Sequence, residues 1–353
     1  MNYLSLYEKY RNNEEFSDYS LSYNKDNMIF NLINDLSPNE VFQYLNKYPD
    51  ENYEEIKKIL SEEYSNENFL VGAGSEDIIW KINNFLLKNL KVGVVVPNFY
   101  RIYETLDNVE FLFLPISIEE LLLDIEKLEQ QIRYKKCQAV WISNPNPITG
   151  KGFLMQQLKT LVEKMSDILF IVDEASMDSV SDIKSYSLLE NGISYPNLII
   201  LRTFSKYYGF PGIRLGYAAM DEKFKRIIED QESVFPVSNY SVLLAKKLIL
   251  KKSLFKNMEK KIDDHKMQLT KLVSNNTDFY VCNSLSNTLI IGYNNNSISI
   301  WDLLVKENIL SFSVKEEKGL EFANAVRITI HSDEDSFVQL YKAVERMLGN
   351  INI

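Results

Sequence analysis

A chain of 353 residues, 45% hydrophobic and 25% charged, has the balance of a globular protein with material for one large or two medium cores. That excludes a wholly disordered chain. A net charge of −10 without a basic block argues against nucleic acid as a partner, and two histidines leave little to build a zinc site.

The chain opens with MNYLSLYEKYRNNEEF, which lacks the basic and apolar regions of a signal peptide. Residues 1–45 read as a polar, Tyr/Asn-rich arm and a lead-in helix. Helical spacing of apolar residues follows at Asn52–Tyr64 and Glu76–Asn89. Strand-like runs then come at Lys91–Val96, Glu110–Ile116, Gln138–Ile142, Ile168–Val172, Asn197–Leu201 and Leu215–Met220. Ile118–Gln131 and Met155–Met165 between them read as helices. Near-continuous apolar strands alternating with helices predict an α/β domain over residues 46–235, its mostly parallel sheet covered on both faces. Residues 236–353 read as a smaller α+β domain. It opens with a helical stretch, broken around Pro236, that runs to about Asn275. Strands Asp278–Cys282, Thr288–Tyr293 and Val326–Ile330 and a last helix Glu334–Leu348 follow. No apolar run reaches the roughly 18–20 residues of a membrane span. Cys137 and Cys282 have neither metal nor disulfide spacing, so a cytoplasmic protein with no membrane partner is expected.

Four segments sit just after predicted strands, where open α/β sheets bind their ligands. Val71–Asp77 carries Gly72, Gly74 and Ser75 ahead of a helix, which makes either an anion cradle or a plain capped turn. Ser143–Gly150 is a rigid loop in which Asn146 offers a directed amide, or it is a loop without a ligand. Asp173 ends an apolar strand and needs a partner: a protonated ring nitrogen, a metal or an arginine, the last as a structural ion pair. Arg202–Tyr217 gathers two arginines, Lys206, Thr203, Ser205 and three glycines. There a lysine held among cations and aromatic groups can act as a Schiff-base nucleophile, and Thr203, Ser205 and Arg214 are phosphate-binding types.

Together these segments resemble the fold type I pyridoxal-phosphate (PLP) enzymes of the class I/II aminotransferase family. Within it, the histidinol-phosphate aminotransferases and threonine-phosphate decarboxylases are the most similar groups. The resemblance rests on Asn144–Gly150 against N-P-N-N-P-T-G, and on Asp173–Ser176 against D-E-A-[YF]. It rests also on Thr203–Lys206 with Arg214–Tyr217 against S-[FL]-S-K and R-x-G-[YF], on Tyr48-Pro49-Asp50, and on Arg327–Ile330. It implies the aspartate aminotransferase-like fold, with a seven-stranded sheet in the large domain and a small C-terminal domain. Position by position, it implies that Lys206 forms the Schiff base and that Asp173 keeps the pyridine nitrogen protonated. Asn146 would bind the ring's phenolic oxygen, and Phe99 would stack on the ring. Gly74, Ser75, Thr203, Ser205 and Arg214 would hold the phosphate, and Tyr48 would reach the phosphate of a neighbouring subunit in a homodimer. Arg327 would clamp the substrate carboxylate, while Tyr23, Asn24 and Lys25 of the arm could read a substrate phosphate.

The chain departs from the family pattern in the arm, where Leu21–Asn27 only loosely resembles L-x-x-N-E-N and the following G-P is absent, and at three further positions. Ser176 stands where Tyr or Phe is usual, Pro147 replaces an asparagine, and Ile148 replaces a proline. His331 reads as a structural residue at a strand end. The activity implied is transfer of an amino group from L-glutamate to a small oxo compound, phosphorylated or not. The alternative is decarboxylation of O-phospho-L-serine or O-phospho-L-threonine. A binding module without activity would have lost the lysine, the aspartate or the phosphate ligands, and all are present.

Overall fold

The computed structural model describes residues 10–351 apart from 11, 12, 14, 27, 232–234, 256 and 323. Residues 1–9 and Asn27 of the expected arm lie outside the described residues. The arm contributes β1 (Ser17–Asp18), followed by helices Met28–Asn34, Pro38–Leu45 and Glu54–Tyr64. The large sheet contains β2 (Phe69–Gly72), β3 (Val92–Val96), β4 (Val109–Phe113), β5 (Ala139–Ser143), β6 (Leu169–Asp173), β7 (Leu198–Thr203) and β8 (Gly216–Ala219). Its seven strands run in the order β2-β8-β7-β6-β5-β3-β4. β8 is antiparallel to β2 and β7, and the remaining pairs are parallel, so the sheet is mostly parallel as the sequence implies.

The unbroken apolar runs follow from burial on both faces. Trp141, Ile171 and Ile199 face one core with Ile78 and Ile82, whereas Val140, Phe170, Val172 and Ile200 face the other. Each such side chain contributes about 1.5–3 kcal/mol by leaving water.

Two helical expectations are corrected. The helix expected from Ile118 begins at Ile125 and runs to Lys135. Asp124 caps it by accepting the Lys127 N–H at 2.9 Å, and the preceding backbone is drawn away instead to Gly152, which bonds Leu121 O and Leu123 N at 3.0 and 2.8 Å. Glu76–Asn89 is an α-helix over Ser75–Lys81 only, continued by a π-helical turn Ile82–Leu86.

After β8 come helices Glu222–Glu229, Asn239–Leu250 and Met258–Ser274. The small sheet contains β9 (Phe279–Cys282), β10 (Thr288–Tyr293), β12 (Phe312–Ser313) and β13 (Ala325–Thr329), all antiparallel in the order β12-β13-β10-β9. The last helix, Glu334–Ile351, packs on it. β11 (Ile309–Leu310) pairs in parallel with β1, which stitches the arm to the small domain. Among the described residues, no helix is long and apolar enough to cross a membrane.

Candidate active site

The carboxyl ends of β5, β6 and β7 set the site. Register pairs Ser143 with Asp173 and Asp173 with Leu201, and Thr203 pairs with Gly216 of β8. Asp173 therefore stands at the middle of the sheet edge, where a parallel sheet binds ligands. It is buried. Burial pushes its carboxyl pKa up, against the Ala175 N–H that it accepts at 2.9 Å and the nearby Lys206 charge.

The loop after β5 is held by its own asparagines. The Asn144 amide bonds both N–H and C=O of Phe153, at 2.8 and 3.1 Å. Asn146 Oδ1 accepts the N–H groups of Ile148 and Thr149, each at 3.0 Å, and its Nδ2 donates to Pro97 O at 2.6 Å. The departure at Ile148 acquires a purpose here. A proline at 148 could not donate to Asn146, and the Pro147 carbonyl accepts a bond from Arg327 Nη1 at 2.8 Å. The Phe99 loop is tied to the same edge, because Asn98 Oδ1 accepts from Phe99 N and from Ser143 Oγ, both at 2.8 Å.

Opposite, β2, β7 and β8 form a cup. Gly74 has φ +88°, and a Cβ there would lie 2.6 Å from Arg214 Nη2. A Cβ on Gly216 would lie 2.6 Å from Ser75 N. Only glycine lets the Arg214 guanidinium, β8 and the helix start at Ser75 close on one point. Arg214 Nη1 and Nη2 are oriented by Pro211 O and Ala73 O at 3.1 and 3.3 Å. Thr203 Oγ1 donates to Ser205 Oγ at 3.1 Å, which places two hydroxyls beside that guanidinium's loop. Backbone N–H groups, hydroxyls and a guanidinium are the donors that a phosphate monoester needs. The cup therefore fits the phosphate of PLP.

Lys206 stands within electrostatic reach of Asp173, Arg214 and Arg327. Burial pushes its amine pKa down to about 8, helped by the positive charges of Arg327 and Arg214 and opposed by Asp173. The structure thus brings together Lys206, Asp173, Arg214 and Arg327. Arg327 is buried, is oriented by Pro147 O and Ser20 O, and stacks 4.4 Å over the Phe312 ring. Sequence reasoning did not find Ser20 or Phe312. Ser20 acts through a main-chain carbonyl, which any residue has; the register of Phe312 opposite Arg327 becomes visible only once β12 and β13 pair.

Other candidates are placed differently. Tyr48 is 84% exposed and stacks on Phe235 with ring centroids 5.4 Å apart. Asn24 is buried, with its amide bonded to Ser332. The Tyr23 ring lies 6.4 Å from the His331 ring. His331 accepts the Lys25 N–H on Nδ1 at 3.2 Å, and burial lowers its pKa to about 3, so it is a neutral acceptor, as its structural reading expects. Ser176 is buried, and its carbonyl accepts from Ser179 Oγ at 2.7 Å. The Tyr207 hydroxyl is bonded to Phe255 O and Glu259, and that of Tyr208 to Asp178. Arg202 and Glu174 form a separate buried network behind the sheet edge. Arg202 Nε donates to Glu174 Oε2 at 3.0 Å, and its Nη2 and Nη1 form ion pairs with Glu174 Oε2 at 2.9 Å and Asp178 Oδ1 at 3.0 Å. Among the described residues, no group of His, Cys, Asp and Glu side chains could hold a metal ion.

A lysine of lowered pKa, an aspartate at the centre of the sheet edge and a cup of N–H, hydroxyl and guanidinium donors are the groups that a fold type I PLP enzyme would require. The sequence model of the aminotransferase class I and II family matches residues 25–342, and the chain belongs to that family as a PLP-dependent aminotransferase. A histidinol-phosphate aminotransferase of Brachyspira hyodysenteriae is 28% identical over 314 residues, covering 86% of this chain and 85% of that protein. The fold matches that of the Sinorhizobium meliloti histidinol-phosphate aminotransferase in complex with pyridoxal-5'-phosphate. There the TM-score is 0.81 at 15% identity, over 99% of this chain and 95% of that one. It also matches L-threonine-O-3-phosphate decarboxylase of Porphyromonas gingivalis, with TM-score 0.78 and 17% identity, over 94% of this chain and 99% of that one.

Proposed function

We propose that the protein moves the amino group of L-glutamate to a small oxo compound, with Lys206 as the cofactor-binding lysine and proton carrier. The observation that carries this reading is the Lys206 amine, pushed down to about 8 beside Asp173 and two arginines. A group with a pKa near neutrality can both take and return a proton. Bound PLP would supply an electron-accepting ring to the substrate's α-carbon. Around it, Asp173 would hold the proton on the ring nitrogen, and Asn146 Nδ2 would orient the ring's phenolic oxygen. Phe99 would cover the ring and exclude water from one face. Thr203, Ser205, Arg214 and the Gly74–Ser75 backbone would fix the phosphate. Arg327, held by two main-chain carbonyls, would orient the substrate carboxylate, and Lys206 Nζ would move the proton at the α-carbon.

The active form in this reading is a homodimer in the cytoplasm. Phe42, Leu45 and Phe235 are exposed beside Tyr48, and next to them Ile33, Leu36, Val41 and Tyr240 line an apolar groove of about 440 Å³. A second copy would cover this surface and bring Tyr48 to its partner's cup. Two buried free thiols, Cys137 and Cys282, suit a reducing compartment.

The deciding experiment is a single-turnover assay of PLP-loaded protein with L-glutamate. One equivalent of 2-oxoglutarate per active site, lost in Lys206→Ala, is expected. No reaction with glutamate but release of CO₂ from O-phospho-L-serine or O-phospho-L-threonine would replace transamination by decarboxylation.

A further inference from the structure

The arm is more polar inside than an arm needs to be. Ser20, Ser22 and Asn24 are all buried, and buried polar groups are costly unless they are bonded. Their neighbours lie along β13 and its continuation. Tyr19 O accepts Thr329 N at 2.8 Å, Ser20 O accepts Arg327 Nη2, and Leu21 O accepts Thr329 Oγ1 at 2.8 Å. Asn24 closes the run with a reciprocal pair: Nδ2 donates to Ser332 Oγ at 2.9 Å and Oδ1 accepts Ser332 N at 2.8 Å. Ser332 Oγ in turn donates to Asp26 at 2.6 Å. The backbone of the same residue reaches the other side of the site, where Asn24 N donates to Lys206 O at 2.8 Å.

We propose that Asn24 is a positioning residue, whose side chain grips Ser332 beyond Arg327 while its main chain grips Lys206, so that one buried amide sets the spacing between lysine and carboxylate clamp. This rests on the roles given to Lys206 and Arg327 above. The amide oxygen and one amide N–H are committed to Ser332, so the part of Asn24 is to hold protein to protein. Without that pair, the Ser332 N–H loses its partner, the Ser332 hydroxyl keeps only Asp26, and residues 19–24 loosen from β13. Ser20 O then withdraws from Arg327, and the Lys206 backbone is released. Water reaches the lysine amine, and Arg327 no longer stands at a fixed distance from it. Both changes favour the protonated amine.

The test is made first on apoprotein, so that it does not depend on turnover. Labelling of Lys206 by an acid anhydride, followed at its own peptide by mass spectrometry across pH, reads the amine directly. The groups that face it are Arg327, Arg214 and Asp173, and the wild-type midpoint is expected near 8. Asn24→Ala and Ser332→Ala are each expected to raise the midpoint by about one unit or more. In the PLP-loaded protein each should raise KM for L-glutamate about tenfold, and the double variant should be no worse than either single one, because both cut the same link. An unmoved midpoint in both variants, whatever happens to the melting temperature, would reduce Asn24 to a structural residue and overturn the proposal. So would fully additive losses in the double variant. Failure of the Lys206 assignment would show elsewhere, as undiminished activity in Lys206→Ala.

Discussion

At the scale of single residues, the cup around Gly74, Ser75 and Arg214 depends on what is missing as much as on what is there. A Cβ on Gly216 would lie 2.6 Å from Ser75 N and 2.7 Å from the Gly74 carbonyl carbon, both main-chain atoms that cannot swing aside. Gly216→Ala should therefore cost the apoprotein about 1–3 kcal/mol, as overpacking does. It should also weaken PLP binding, and urea unfolding with a PLP titration measures both. Lys206 leaves a different mark. Its folded-state pKa, about 8, lies below the ordinary 10.5, so its stabilising contribution is complete above 10.5 and is lost as pH falls through 8. Between those values the unfolded chain binds the extra proton, and apoprotein stability should rise with pH. Lys206→Met should flatten a slope amounting to about 1–3 kcal/mol over that window, read from urea midpoints at a series of pH values.

At the scale of elements, the legible part of the sequence was the part governed by burial. β3 and β5 to β7 are covered on both faces, so their apolar runs announce them, and their carboxyl ends and the loops that follow carry Asn146, Asp173 and Lys206 to one edge. The segment before Ile125 was not legible, because a run with helical spacing lost its first turns to a pairing with Gly152, a contact distant in sequence. Asp124 is the residue that decides where that helix starts. Asp124→Ala should lower stability by about 1 kcal/mol, as loss of an N-cap does, with cofactor affinity unchanged; thermal unfolding and PLP titration test the pair of expectations. Within the site, the same limit applies to Ser20 and Pro147, which act through main-chain carbonyls. A carbonyl or an N–H carries no residue identity, so no motif could point to it.

At the scale of the whole molecule, the exposed apolar surface around Phe42 and Leu45 gives the assembly its test. The proposed homodimer should sediment as a species of twice 41.2 kDa, and Phe42→Asp with Leu45→Asp should leave one of 41.2 kDa. PLP affinity should fall with it, since Tyr48 would no longer reach a second cup. Behind the site, Arg202 ties Glu174 and Asp178, on the segment after β6, to the chain that leads into Lys206. Strand alternation turns Glu174 into this network and its neighbour Asp173 into the site, so the scaffold of the active edge and its reactive groups are consecutive residues. Breaking a buried ion pair costs about 3–5 kcal/mol, and here it would loosen the same backbone that a bound cofactor clamps. PLP and Arg202 therefore act on one equilibrium. Vitamin B6 supply becomes a folding partner of a weakened chain, raising its melting point by mass action, so damage to Arg202 would be harshest in cells starved of the vitamin.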